Sequence, residues 1–93
     1  MKKYVKIRIE GIFKGTAYHS EAQKQASTLG IEGTIQDNEE GSVTICACGP
    51  SEKLDQFIDV LYKSSTSAKI NDLITEPLMN HKDFRGTFRI IGN

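Results

Sequence analysis

The stretch Ile31–Cys48, IEGTIQDNEEGSVTICAC, decides the fold. Ile31, Gly33 and Ile35 alternate with Glu32, Thr34 and Gln36, the period-2 pattern of a half-buried strand. Asp37–Gly41 (DNEEG) is a turn by composition. Val43, Ile45 and Ala47 then alternate with Ser42, Thr44, Cys46 and Cys48. Two alternating runs joined by a short turn ending in Gly read as a β-hairpin. Upstream, Ser20–Leu29 is built of good helix formers with Ala22, Ala26 and Leu29 on one face, and Gly30 is a natural stop. Downstream, Gly49-Pro50 leads to Ser51, a suitable N-cap. Leu54, Phe57, Ile58, Leu61 and Tyr62 follow at the spacing of an amphipathic helix over about 52–62.

The hairpin is thus enclosed by two helices, and strands flank the whole. Val5, Ile7 and Ile9 alternate with Lys6, Arg8 and Glu10, predicting a strand over residues 3–10. After a polar break at Lys63–Ser67, Ala68 and Ile70 begin a fourth strand. Its alternation slips between Ile70 and Leu73, the mark of a bulge. Pro77–Asp83 reads as loop, and Phe84–Ile91 as a fifth strand with Phe88 and Ile90 facing one way. The order is β-α-β-β-α-β, the split βαβ or ferredoxin-like arrangement of the α+β class. It predicts an antiparallel sheet of four or five strands with both helices on one face.

Composition narrows the function. Ninety-three residues point to one domain spanning 1–93. Twelve basic residues balance twelve acidic ones, so the electrostatic footprint of a nucleic-acid binder is absent. No apolar run is long enough to span a membrane. Lys6, Arg8 and Glu10 interrupt what would be the apolar part of a signal peptide. Cys46 and Cys48, two apart on a strand, point the same way but sit too far apart to bridge. They are expected to be reduced thiols in a cytoplasmic protein. Two cysteines with His81 distant in sequence make a poor metal site, so no metal and no cofactor are expected.

The loop between the first strand and the first helix carries the chemistry: Gly11-Ile12-Phe13-Lys14-Gly15-Thr16-Ala17-Tyr18-His19. It resembles the acylphosphatase loop G-x-V-Q-G-V-x-[FY]-R, with Gly11, Gly15 and Tyr18 matching outright. Leu29-Gly30-Ile31-x-Gly33-x-Ile35 is similar to the family's L-G-L-x-G-x-V, Gly41-Ser42-Val43 to its D-G-x-V, and Ala68-x-Ile70 to its A-x-V. The 18-residue step from His19 to Asp37 matches the separation of the family's catalytic Arg and Asn. The resemblance covers essentially the whole chain. It implies a monomeric enzyme that hydrolyses the carboxyl–phosphate bond of acyl phosphates, small-molecule anions. Its phosphate would be cradled by residues Lys14, Gly15, Thr16, Ala17, Tyr18 and His19. A glycine-rich turn can aim several backbone N–H groups at an anion, and the helix start adds its positive dipole end. In the family the Arg grips the phosphate, the Asn positions the attacking water, and the substrate's own phosphate assists in taking its proton.

Here those two positions are His19 and Asp37. An imidazole offers one or two N–H donors instead of a five-donor fork, and free histidine is mostly neutral at pH 7. A carboxylate repels a phosphate and donates no hydrogen bond to it. Losing a fixed donor of this kind costs on the order of 10²–10³ in rate. Alternatives therefore stand side by side. His19 is a weakened phosphate ligand or a solvent-facing residue at a helix start. Asp37 positions water or acts as a general base, or it is a turn aspartate, although its parity with Ile31, Gly33 and Ile35 puts it on the helix-covered face. Lys14 adds charge towards an anion or is a surface lysine. The chain is a slow hydrolase of the acylphosphatase type, or a non-catalytic anion-binding or protein-interaction module of the same fold.

Overall fold

The computed structural model describes residues 2–13, 16–63, 69–79 and 83–91. Lys14 and Gly15 of the loop, Ala68 and His81 lie outside the described residues. The elements run β1 (Lys2–Ile12), α1 (Tyr18–Leu29), β2 (Glu32–Asp37), β3 (Val43–Pro50), α2 (Ser51–Lys63), β4 (Lys69–Pro77) and β5 (Phe88–Ile91). They build one five-stranded sheet in the order β4-β1-β3-β2-β5.

Ile7 pairs with Ile45 and Ile9 with Val43, and Ile35 meets Ile45 from the other side. These side chains share one face because strand residues alternate with a period of two. Both helices pack on that face, where Ala22 and Ala26 of α1 and Leu54, Phe57 and Leu61 of α2 join the same buried cluster. Ile58 packs against it from the side. Tyr62, counted in the apolar stripe by its spacing, is exposed, although its neighbour Leu61 is buried.

Two glycines let β2 lie close against β3 and β1 close against β4. A Cβ on Gly33, whose φ is 154°, would collide with the backbone carbonyl of Cys46 on β3. A Cβ on Gly11 would collide with the carbonyl of Lys69 on β4. That crowding coincides with the slip in β4. Glu10 pairs with Asp72 but Gly11 pairs with Ile70, so Asn71 is the extra residue of the bulge expected between Ile70 and Leu73.

Three boundaries differ from the sequence reading. First, α1 starts at Tyr18 instead of Ser20. The Thr16 hydroxyl accepts from the Tyr18 N–H at 3.3 Å, and the Tyr18 ring is buried. Tyr18 therefore heads the buried stripe Tyr18, Ala22, Ala26 at helical spacing. Second, β5 covers only Phe88–Ile91, because Arg85 and Gly86 take positive φ in a turn held by the Thr87 N–H donating to Phe84 O at 3.2 Å. Third, the sheet is antiparallel in three pairings, but β5 runs parallel to β2. β4 ends and β5 begins at the same end of the sheet, on opposite edges. The last strand must then run in the direction of β2. Phe88 faces the core and meets Phe57 edge-on at 5.7 Å, whereas Ile90, expected to face the same way, stays exposed at this short edge strand.

The opposite face of the sheet carries Lys6, Arg8, Thr34, Thr44 and Cys46, and among the described residues no helix lies over it. Cys46 and Cys48 are free thiols, half-buried and buried respectively. Among the described residues, no helix is long and apolar enough to cross a membrane.

Candidate active site

The end of β1, the start of α1 and the β2–β3 turn meet at one corner of the molecule. They enclose a cleft of about 560 Å³ lined by Gly11, Ile12, Phe13, His19, Asp37, Asn38 and Gly41. The two residues singled out by their 18-residue spacing face each other across it. Nε2 of His19 lies 2.8 Å from Oδ1 of Asp37. This contact agrees with the parity that put Asp37 on the helix-covered face, at the last, exposed position of β2. The His19 side chain is 21% exposed and that of Asp37 55%.

An ionised carboxylate only accepts hydrogen bonds, so Nε2 carries the proton in this contact. A neutral imidazole has one N–H. While the pair holds, that N–H is committed to Asp37. The ring is further fixed by edge-on contacts with Phe13 at 6.3 Å and Tyr18 at 6.4 Å. Tyr18 in turn is immovable. Its hydroxyl donates to Leu61 O at 2.8 Å, one of the carbonyls that the end of α2 leaves unpaired. Burial pushes the Tyr18 phenol well above its usual range. Tyr18 therefore positions the start of α1, and its side chain points into the core, away from any bound anion.

The loop is partly tied to itself. The Thr16 N–H and hydroxyl both donate to Phe13 O, at 3.0 and 2.5 Å. With the Tyr18 N–H directed at Thr16 Oγ1, two of the amides expected to cradle a phosphate have local partners. Ala17 is the N-cap of α1 and makes no side-chain cap bond. His19 follows in the first helical turn, where backbone N–H groups lack intrahelical acceptors.

Asn38 is a lining residue that the sequence reading did not single out. Standing next to Asp37, it invites the thought that it supplies the missing amide one position late. It does not. A one-residue step reverses the face of a strand. The Asn38 amide donates at 2.8 Å to both Ser42 Oγ and Thr44 Oγ1, so both of its protons are used in the hairpin. The Asn38 N–H also donates to Ser42 O at 2.8 Å. The same turn is clamped by Arg8, which donates to Glu40 at 2.8 Å, and by Ser42 Oγ, which donates to Glu40 at 2.7 Å. The Ser42 hydroxyl first, and Arg8 with it, hold the Glu40 carboxyl below its ordinary value. Asp37 is thus presented by a rigid turn, and Arg8 is engaged on the far face of the sheet. Among the described residues, no lysine or arginine lines the cleft, and no cluster of three metal-ligating side chains occurs.

A split-βαβ plait with a strand-to-helix loop opening onto its second strand defines an α+β domain of a known kind. The acylphosphatase family model matches residues 5–90, and the chain belongs to that family. It is 31% identical over 83 residues to the acylphosphatase of Vibrio parahaemolyticus, covering 89% of this chain and 90% of that one. It is 33% identical over 81 residues to that of Latilactobacillus sakei, covering 86% and 88%. The fold superposes on the crystal structure of acylphosphatase from Bacillus subtilis with a TM-score of 0.88 at 22% identity, covering 99% of this chain and 100% of that one. It also superposes on a segment of full-length HypF with a TM-score of 0.85 at 18% identity, covering 99% of this chain and 12% of that one.

Proposed function

We propose that this protein hydrolyses acyl phosphates, slowly at neutral pH, in the cleft that His19 and Asp37 line together. Water attacks phosphorus and passes one proton to an oxygen of the substrate's own phosphate, the bond from phosphorus to the acyl oxygen breaks, and a carboxylate and dihydrogen phosphate leave. His19 is the anion's side-chain ligand and Asp37 holds the water. Residues 14–19 supply backbone N–H groups at the start of α1, where the helix dipole favours negative charge. The family, the relatives named acylphosphatase and the cleft support the activity. Free thiols in Cys46 and Cys48 fit a cytoplasmic setting.

The slowness rests on one observation, the 2.8 Å contact between His19 and Asp37. It commits the only N–H of the neutral ring and sets a carboxylate beside the incoming phosphate. Turnover of benzoyl phosphate is therefore expected to be slow but above its rate in buffer alone. Folded protein that leaves benzoyl phosphate at its buffer rate throughout would refute the proposal.

A further inference from the structure

The 2.8 Å contact with Oδ1 of Asp37 keeps the proton of a neutral His19 on Nε2, so Nδ1 holds the free electron pair of the ring. Among the described residues Nδ1 has no hydrogen-bond partner, and no side-chain nitrogen without a partner is sealed from solvent. Nδ1 is therefore the open nitrogen of a ring that lines the cleft. Edge-on contacts with Phe13 and with Tyr18, whose hydroxyl is tied to Leu61 O, hold that ring in place. An imidazole oriented by a carboxylate on one nitrogen and open on the other has the arrangement of an activated nucleophile. While its N–H is held by Asp37, the ring has no hydrogen bond to donate to a phosphate. What it offers is the electron pair on Nδ1.

Resting on the anion site proposed above, we propose that His19 is a phosphorylation site: acyl phosphates transfer their phosphoryl group to Nδ1, beside direct attack by water. The electron pair of Nδ1 forms the N–P bond, the pair of the bond from phosphorus to the acyl oxygen leaves with the carboxylate, and no proton moves. The ring becomes positively charged with its proton still on Nε2, where the hydrogen bond to Asp37 turns charge-assisted and strengthens. His19 stands in the first turn of α1, where backbone N–H groups lack intrahelical acceptors and the helix dipole favours the negative phosphoryl oxygens. Water then attacks phosphorus, the N–P bond breaks, and one proton passes to a phosphate oxygen, so neutral His19 and dihydrogen phosphate are restored. While the charged ring claims Asp37, that water has no free carboxylate to assist it, and the phosphorylated form persists.

Benzoyl phosphate labelled in its phosphate is mixed with the full chain, and the reaction is stopped in alkali, which spares a phosphohistidine that acid would hydrolyse. The expected result is a burst of benzoate, up to one equivalent per chain, followed by slower release. With it comes one phosphoryl group per chain, which fragmentation of the labelled protein places on His19. His19→Gln gives neither burst nor label, whereas His81→Gln, which removes the chain's other histidine, keeps both. A folded natural chain that releases phosphate above the buffer rate but takes up no label overturns the transfer and leaves the hydrolase reading standing. Label found on Asp37 or His81, label that persists in His19→Gln, or a benzoyl instead of a phosphoryl group on His19 overturns it equally. If neither label nor phosphate release appears, the transfer and the anion site fall together.

Discussion

Exchanging His19 for Arg and Asp37 for Asn, singly and together, tests the pair as one unit. Two effects separate cleanly. The first is charge. Relative to neutral His with ionised Asp, either single change raises the charge at the site by one, and the double raises it by two. With Asp37 55% exposed, the water-like limit applies, about 1 kcal/mol for two unit charges 4 Å apart. Against a dianionic phosphate each single change gains at most about 2 kcal/mol, roughly 30-fold in rate. This part adds. The second effect is geometric and does not add. The 2.8 Å separation of Nε2 and Oδ1 means that a cation at position 19 is claimed first by the carboxylate at 37. In His19→Arg the planar fork is partly occupied, whereas in the double variant an amide leaves it free. A charge-assisted hydrogen bond to phosphate is worth about 1.5–3 kcal/mol. The double variant should therefore exceed the product of the two single gains by roughly 10- to 150-fold in kcat/KM.

The assay is kcat/KM for benzoyl phosphate with all four proteins in one buffer. Unfolding midpoints guard against trivial loss. A pair this exposed contributes about 0.2–1 kcal/mol, so the variants should melt within a few degrees of the natural chain, at about 4–8 °C per kcal/mol. Single gains that simply multiply would show that the His19–Asp37 contact does not sequester the cation. A natural protein already as fast as the double would show that His19 and Asp37 are competent. A double no faster than the natural protein would place the defect in the loop backbone.

Two further outcomes concern the scaffold that aims His19. Tyr18→Phe leaves Leu61 O without its partner and should cost about 1–2 kcal/mol, lowering the midpoint by roughly 5–15 °C. Its pH signature is alkaline. The buried phenol keeps its proton in the folded state, so above the ordinary tyrosine value of about 10 the unfolded chain binds fewer protons and stability falls by up to about 1.4 kcal/mol per pH unit. The stability gap between the natural chain and Tyr18→Phe should therefore narrow as pH rises past that value; a constant gap in denaturant titrations would show that burial of this hydroxyl is not what sets it. Gly33→Ala forces a side chain against the Cys46 carbonyl at φ 154° and should lose about 2–4 kcal/mol by denaturant titration. A loss below about 0.5 kcal/mol would mean that β2 and β3 move apart at little cost.

Most of the fold was legible because it rests on periodicity. Ile7, Ile9, Ile35 and Ile45 alternate in sequence and meet in register in the sheet. The broken alternation after Ile70 marked the Asn71 bulge for the same reason. What failed was set by chain crossing or by local caps. The parallel pairing of β5 depends on where the crossing from β4 arrives, and nothing between Phe88 and Ile91 encodes direction. The early start of α1 depends on a Thr16 hydroxyl reaching the Tyr18 amide, a rotamer choice invisible in a residue string. The site divides along the same line. Parity and spacing placed His19 and Asp37 on one side of the sheet at one end. That they touch, and that Asn38 is tied up in the turn, follows from side-chain geometry alone.

The same geometry fixes how an anion would have to enter. The amides of Thr16 and Tyr18 are already directed at acceptors within the loop, and the N–H of a neutral His19 at Asp37. A ligand that uses any of these three groups exchanges an existing hydrogen bond for its own. Exchange of a neutral hydrogen bond for a charge-assisted one is favourable by a margin of only about 1 kcal/mol. For Asp37 the exchange is worse than neutral, since displacing its partner leaves two negative groups side by side. The net gain on binding a phosphate is therefore smaller here than in a site that carries an arginine clamp, and it grows when the carboxylate at position 37 is replaced by an amide.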